Sequence, residues 1–103
     1  MSQASIRAGD AAGVLLLEGV LDHRSGPPLR ESGRRLILGS EAREIVIDCA
    51  AVRRSTSVGL ALLLAFMRDA KAAGKTLRLR DLPRDMRQIA QVSSVVEFLP
   101  TEA

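Results

Sequence analysis

Hydrophobic residues fall in short runs separated by polar or glycine-containing breaks, and their spacing changes from run to run. VLLLEGVL (14–21) is apolar almost throughout and lies between Gly13 and the polar DHRSGPP stretch, which predicts a buried strand. SIRAG before it predicts a short first strand. Pro27 and Pro28 suit the first turn of a helix, where the missing N–H groups would have no partner anyway. That helix runs through LRESGRRLIL, with Leu29, Leu36 and Ile37 inward and Gly39 as its stop. EIVIDCA (44–50) is too uniformly apolar in its centre for a half-exposed strand and reads as the central strand of a partly parallel sheet. A helix from Ser57 to Ala73, ended by Gly74, comes next. TLRLRDL (76–82) alternates, with Leu77 and Leu79 inward and Arg78 and Arg80 outward. Pro83 closes it, and RDMRQIAQV (84–92) places Met86, Ile89 and Ala90 at helical spacing. VVEFLP (95–100) reads as a docked tail or a last helical turn. The order β-β-α-β-α-β-α predicts an α/β domain, a small mixed β-sheet packed with helices. No repeat, low-complexity tract or linker divides the chain, so residues 1–103 are read as one domain.

The helix beginning at Ser57 is the most hydrophobic segment. At about 100° per residue, Leu60, Leu63, Leu64 and Met67 share one face, and Val58, Leu62 and Phe66 lie nearly opposite. A surface helix needs one apolar stripe. Two stripes leave two readings: other elements cover both sides, or one side docks a partner.

Three hydroxyl residues, Ser55, Thr56 and Ser57, stand in front of this helix, preceded by Arg53 and Arg54. Capping accounts for one of them, because a hydroxyl accepts an N–H of the first turn and stabilises the helix by about 1 kcal/mol. Recognition or regulation accounts for another: a hydroxyl exposed at the positive end of a helix dipole suits a partner contact or an added phosphate.

Composition narrows the function classes. With 47% apolar and 26% charged residues among 103, the chain belongs with ordinary globular proteins. It shows no signal-peptide pattern and no apolar run of bilayer-spanning length, so a cytoplasmic location is expected. One cysteine, Cys49, leaves no internal disulfide and reads as a buried inert thiol. One histidine, His23, has no companion at metal-ligand spacing, so no metal is expected. The net charge of +3 raises nucleic-acid binding, but two Phe and no Tyr or Trp provide no stacking platform, and the basic residues are scattered. No phosphate-binding glycine loop is present, and no nucleophile, base and acid form a recognisable set; Asp22 beside His23 reads as a solvated loop pair. The expectation is a binding module rather than an enzyme, with no cofactor, no small-molecule substrate and no nucleic acid.

At this point GVLD (19–22) and TSVGLALLL (56–64) carry a resemblance. The first is similar to the G-E-L-D at the end of the second strand of STAS domains, the fold of anti-sigma-factor antagonists and sulfate-transporter tails. The second is similar to the family's D-S/T-x-G-L at the start of the second helix. The resemblance spans about residues 5–100. It implies that Ser57 occupies the phosphorylatable position, that Gly59 and Leu60 are the Gly-Leu pair, and that Asp22 is the loop acid near the hydroxyl. Where kinase-regulated members carry Asp before the hydroxyl, this chain has Thr56.

VRRSTSVGLALLLAFMRDAKAAGK and DMRQIAQVS further resemble the stand-alone STAS subunit of the Mla system, the ABC-type transporter of outer-membrane lipid asymmetry. That resemblance implies a non-catalytic accessory subunit that binds the cytoplasmic ATPase subunit and supports its assembly and activity. It would lie peripherally at the inner membrane through that partner. The expected contact comprises Ser55, Thr56, Ser57, Val58, Leu62 and Phe66. The alternatives are an anti-sigma-factor antagonist switched by phosphorylation of Ser57 and, behind it, a basic nucleic-acid-binding domain.

Overall fold

The computed structural model describes residues 4–92 and 99–100. Its elements are β1 (Ser5–Ala8), β2 (Val14–Leu21), α1 (Gly26–Gly39), β3 (Glu44–Ser55), α2 (Ser57–Ala72), β4 (Thr76–Arg80) and α3 (Arg84–Val92). The four strands form one sheet in the order β1-β2-β3-β4. β1 is antiparallel to β2, and β2, β3 and β4 run parallel. The mixed sheet and the β-β-α-β-α-β-α order agree with the expectation from the apolar runs.

Alternation along the strands explains the layering. Leu15, Leu17 and Leu21 of β2 are buried on one face, with Leu16, Glu18 and Val20 half-buried on the other. Ile45, Ile47 and Cys49 of β3 and Leu77 and Leu79 of β4 continue the buried face into one hydrophobic core. The helices close over it, contributing Leu29 and Ile37 from α1, Leu60, Leu63 and Phe66 from α2, and Met86 and Ala90 from α3. Leu36 and Ile89, expected inward, are only partly buried.

The two outer helices are held together in two ways. Gly33 of α1 lies against the Phe66 ring of α2 so closely that a Cβ at Gly33 would overlap Cζ and Cε1. On the half-exposed side Arg30 makes a two-pronged ion pair with Asp69, one bond from Nη2 to Oδ1 at 3.0 Å and the other from Nη1 to Oδ2. Lys75 spans the opposite end, its Nζ donating to the Ser40 carbonyl at 2.7 Å and the Ala42 carbonyl at 2.6 Å. The tail reading holds where the structure describes it: Leu99 is buried, and the Pro100 carbonyl accepts from Leu79 N at 2.8 Å on the outer edge of β4. Residues 95–98 of that tail lie outside the described residues.

β3 is longer than EIVIDCA, continuing through AAVRRS. Two register shifts against β2 explain the extension. Asp48 pairs with Leu16 and Ala51 with Glu18; then Val52 pairs with Gly19 and Arg54 with Val20, which leaves Arg53 unpaired in a bulge. A strict period of two cannot pass through such shifts, so the apolar pattern fades at Ala50 although the strand continues.

Candidate functional site

The parallel strands β2 and β3 end beside the first turn of α2, where the loop after β2 and the three hydroxyl residues meet. Thr56 is the helix cap. Its Oγ1 accepts from Val58 N at 3.2 Å and donates to the Leu21 carbonyl at 3.3 Å, which also accepts from Thr56 N at 2.9 Å. One threonine therefore caps α2 and ties it to the end of β2. Thr replaces Asp here without loss of the cap, since both side chains place an oxygen within reach of the first-turn N–H groups.

Ser55 is not a surface residue. The bulge at Arg53 turns Ser55 inward, and its side chain, 9% exposed, donates to the Thr56 carbonyl at 2.9 Å. Gly59 explains the tight fit: a Cβ there would overlap Ser55 Oγ and sit 3.1 Å from Leu21 Cδ1. Only a glycine lets the first turn of α2 lie this close to the strand ends, so Gly59 of the Gly-Leu pair is a packing requirement.

Ser57 is the first residue of α2, exposed, with no side-chain hydrogen bond among the described residues. It starts the exposed stripe that continues through Ala61 and Arg68. Val58 is half-buried. Beside it, between α1 and α2, lies a shallow groove of about 240 Å³ walled by Pro27, Val58, Ala61 and Leu62.

Leu62 and Phe66 correct the expected contact surface. Leu62 is 4% exposed and Phe66 fully buried, because α1 covers that side of α2 and Gly33 makes room for the ring. The second apolar stripe of α2 is therefore core at Leu62 and Phe66, while Val58 at its start stays half-buried. Of the six residues expected to meet a partner, Thr56, Ser57 and Val58 remain accessible.

Asp22 directly follows Leu21, whose carbonyl Thr56 contacts. Asp22 and Thr56 line one open depression of about 510 Å³, together with Arg53, Arg54 and Asp85. The Asp22 carboxylate is engaged by its own loop: Oδ1 accepts from Arg24 N at 2.9 Å and Ser25 N at 3.1 Å. The Ser25 hydroxyl in turn donates to the Val20 carbonyl at 2.8 Å and accepts from Asp22 N at 3.0 Å. These N–H groups, Ser25 first, hold the Asp22 carboxyl below the usual carboxylate range. Asp22 thus shapes the loop as a constitutive anion. Ser57 is not among the residues lining this depression.

Away from this end, Asp48 is also held low, first by Ala50 N and then by Arg80, whose Nη2 is 3.0 Å from Oδ2. Cys49 is buried and its thiol is pushed up to about 12, chiefly by burial, so it stays protonated. Among the described residues no group of His, Cys, Asp and Glu could hold a metal ion. No helix among them is long and apolar enough to cross a membrane.

The comparisons agree with this architecture. The family model described as "Mlab, STAS domain" matches residues 4–100, and the chain belongs to this STAS-domain family. Among solved structures, the chain is similar to an anti-sigma factor antagonist from Mycobacterium paratuberculosis. There the TM-score is 0.77 at 19% identity, over 98% of this chain and 85% of that one. It is similar to an anti-sigma-factor antagonist (STAS) domain protein from Planctomyces limnophilus, with a TM-score of 0.74 at 19% identity over 98% and 91%. The unphosphorylated anti-sigma factor antagonist SpoIIAA, a Bacillus cell fate determinant, superposes with a TM-score of 0.70 at 18% identity over 100% and 89%. At these identities the likeness establishes the fold. STAS-domain proteins are typically non-catalytic regulators.

Proposed function

We propose that this protein is a non-catalytic accessory subunit that binds the cytoplasmic ATPase of an Mla-type phospholipid transporter and supports its assembly and activity. The observation that carries the reading is the match of residues 4–100 to the Mlab family. The geometry fits it. Thr56 fixes the helix start, Ser57 stands exposed on it, and Val58 and Ala61 continue outward beside a shallow apolar groove. Such a surface buries well against a protein, and its hydroxyl suits a hydrogen bond at the rim of the contact.

A second reading has its own support. Ser57 is exposed at a helix N-terminus, where a phosphate meets backbone donors and a favourable dipole, and the fold is shared with anti-sigma-factor antagonists. The Ser57→Glu variant separates the two. Under the subunit reading, glutamate leaves the isolated domain folded, because the dipole accepts the anion, while a desolvated charge costs several kcal/mol at the contact and the ATPase is lost. Ser57→Ala is milder, about 1 kcal/mol. Under the switch reading, intact-mass spectrometry of the native protein shows a stoichiometric phosphate that Ser57→Ala abolishes. That phosphate, or a Ser57→Glu protein that still co-purifies with the ATPase, contradicts the subunit reading.

A further inference from the structure

Arg53 and Arg54 are consecutive in β3, where simple alternation would send one of them into the core. Instead both are exposed, while Val52 before them and Ser55 after them are buried. The register accounts for this: Gly19 pairs with Val52 and Val20 with Arg54, so Arg53 is the extra residue of a bulge. Bulges in parallel pairs are rare, and this one leaves two consecutive arginines lining the depression by Thr56. Neither arginine makes an ion pair or side-chain hydrogen bond among the described residues. Arg7, Arg30, Arg35 and Arg80 form ion pairs with Glu18, Asp69, Glu31 and Asp48, whereas other exposed arginines such as Arg34 and Arg68 make none among the described residues, so what sets Arg53 and Arg54 apart is their adjacency in the bulge. Asp22, which lines the same depression, has its carboxylate committed to the N–H groups of its own loop.

We infer that the Arg53–Arg54 bulge is a docking element for carboxylate side chains of the partner protein, guiding the approach of an acidic segment to the Thr56–Ser57 end. This rests on the proposed binding of a protein partner at that end. A protein segment fits better than an anionic membrane. The depression is concave and its lining carries both signs, Asp22 and Asp85 as well as the two arginines. Those acids disfavour a flat layer of anionic headgroups, which must meet all of them at once, whereas a single side-chain carboxylate can enter the depression and accept the paired N–H groups of one guanidinium. The contribution falls mainly on the association rate, since rim charges steer encounter and are screened by salt.

The test measures association and dissociation rates of the purified full-length protein on the purified cognate ATPase subunit, at low and at raised salt. The variants are Arg53→Ala/Arg54→Ala, Arg53→Glu/Arg54→Glu and Arg53→Lys/Arg54→Lys, each checked by thermal melting. The expected result is an association rate about tenfold lower for the alanine pair at low salt and lower still for the glutamate pair. The deficit shrinks as salt is raised, and the lysine pair keeps most of the rate. Wild-type binding with unchanged rates and salt dependence in the alanine pair overturns this inference alone. Absence of wild-type binding overturns the proposed function and the inference with it. A parallel flotation assay uses phosphatidylglycerol-containing vesicles; wild-type binding at physiological salt that the alanine pair loses assigns the arginines to lipid and also overturns the inference.

Discussion

Replacing Gly33 with alanine tests the packing that decides which face of α2 is core. In an open helix interior this change stabilises by about 1 kcal/mol through backbone propensity. Here the new methyl would overlap Cζ and Cε1 of Phe66 and lie 3.1 Å from Cε2, and the ring has no exposed side to swing toward. Overpacking of this kind costs about 1–3 kcal/mol, so after the propensity gain the expected net effect is a loss of about 0–2 kcal/mol. Phe66→Leu removes the ring atoms that the methyl would meet. In that background Gly33→Ala keeps its propensity gain and fills vacated space, so it stabilises and the coupling between the sites is about 1–3 kcal/mol. Urea denaturation of the four proteins measures the cycle, and in melting each kcal/mol corresponds to about 4–8 °C for a domain of this size. A Gly33→Ala protein about 1 kcal/mol more stable than wild type, or effects additive within about 0.5 kcal/mol, would refute the claim that α1 covers Phe66.

Thr56→Ala should lower stability by about 1 kcal/mol in the same denaturation assay, whereas Thr56→Asp, which keeps a cap, should stay near wild type. Cys49 should resist alkylation in the native protein near neutral pH and react fully in denaturant, since its thiol is pushed up to about 12; fast native labelling would contradict its burial. Asp48 titrates lower in the folded state than in the unfolded chain, so its stabilisation is present above the unfolded value near 4 and is lost as pH falls through the lower folded value. Asp48→Asn should therefore be less stable at neutral pH and show a shallower loss between pH about 4 and the acid limit, followed by urea midpoints across that range.

Elements whose inward residues keep one period were legible in the chain. The ends of VLLLEGVL and RDMRQIAQV coincide with β2 and α3, because breaks or a proline bound each run. β3 was legible only to Ala50, since the two register shifts move Ser55 inward and both arginines outward, and no alternation rule anticipates an extra residue. Leu62 and Phe66 looked like a docking stripe because one helix's periodicity shows that a face is apolar, not what covers it. The missing clue was Gly33, a glycine inside a helix where a Cβ would overlap a neighbouring ring. At the site, the cap and the exposed hydroxyl were both anticipated by RRSTS, and the structure assigns them to Thr56 and Ser57. The spacing of Asp22 and Ser25 already carried the signature of a local turn that engages the acid. The bulge beside them had only the doubled arginine as a sign.

The proposed function is tested most directly by what the untreated protein carries with it out of the cell. Tagged at its native locus and purified under mild conditions, it should bring down a transporter ATPase subunit with its permease, and Ser57 should be unmodified by intact mass. Recovery of a kinase-like anti-sigma factor instead, with phosphate on Ser57, would contradict the proposed function.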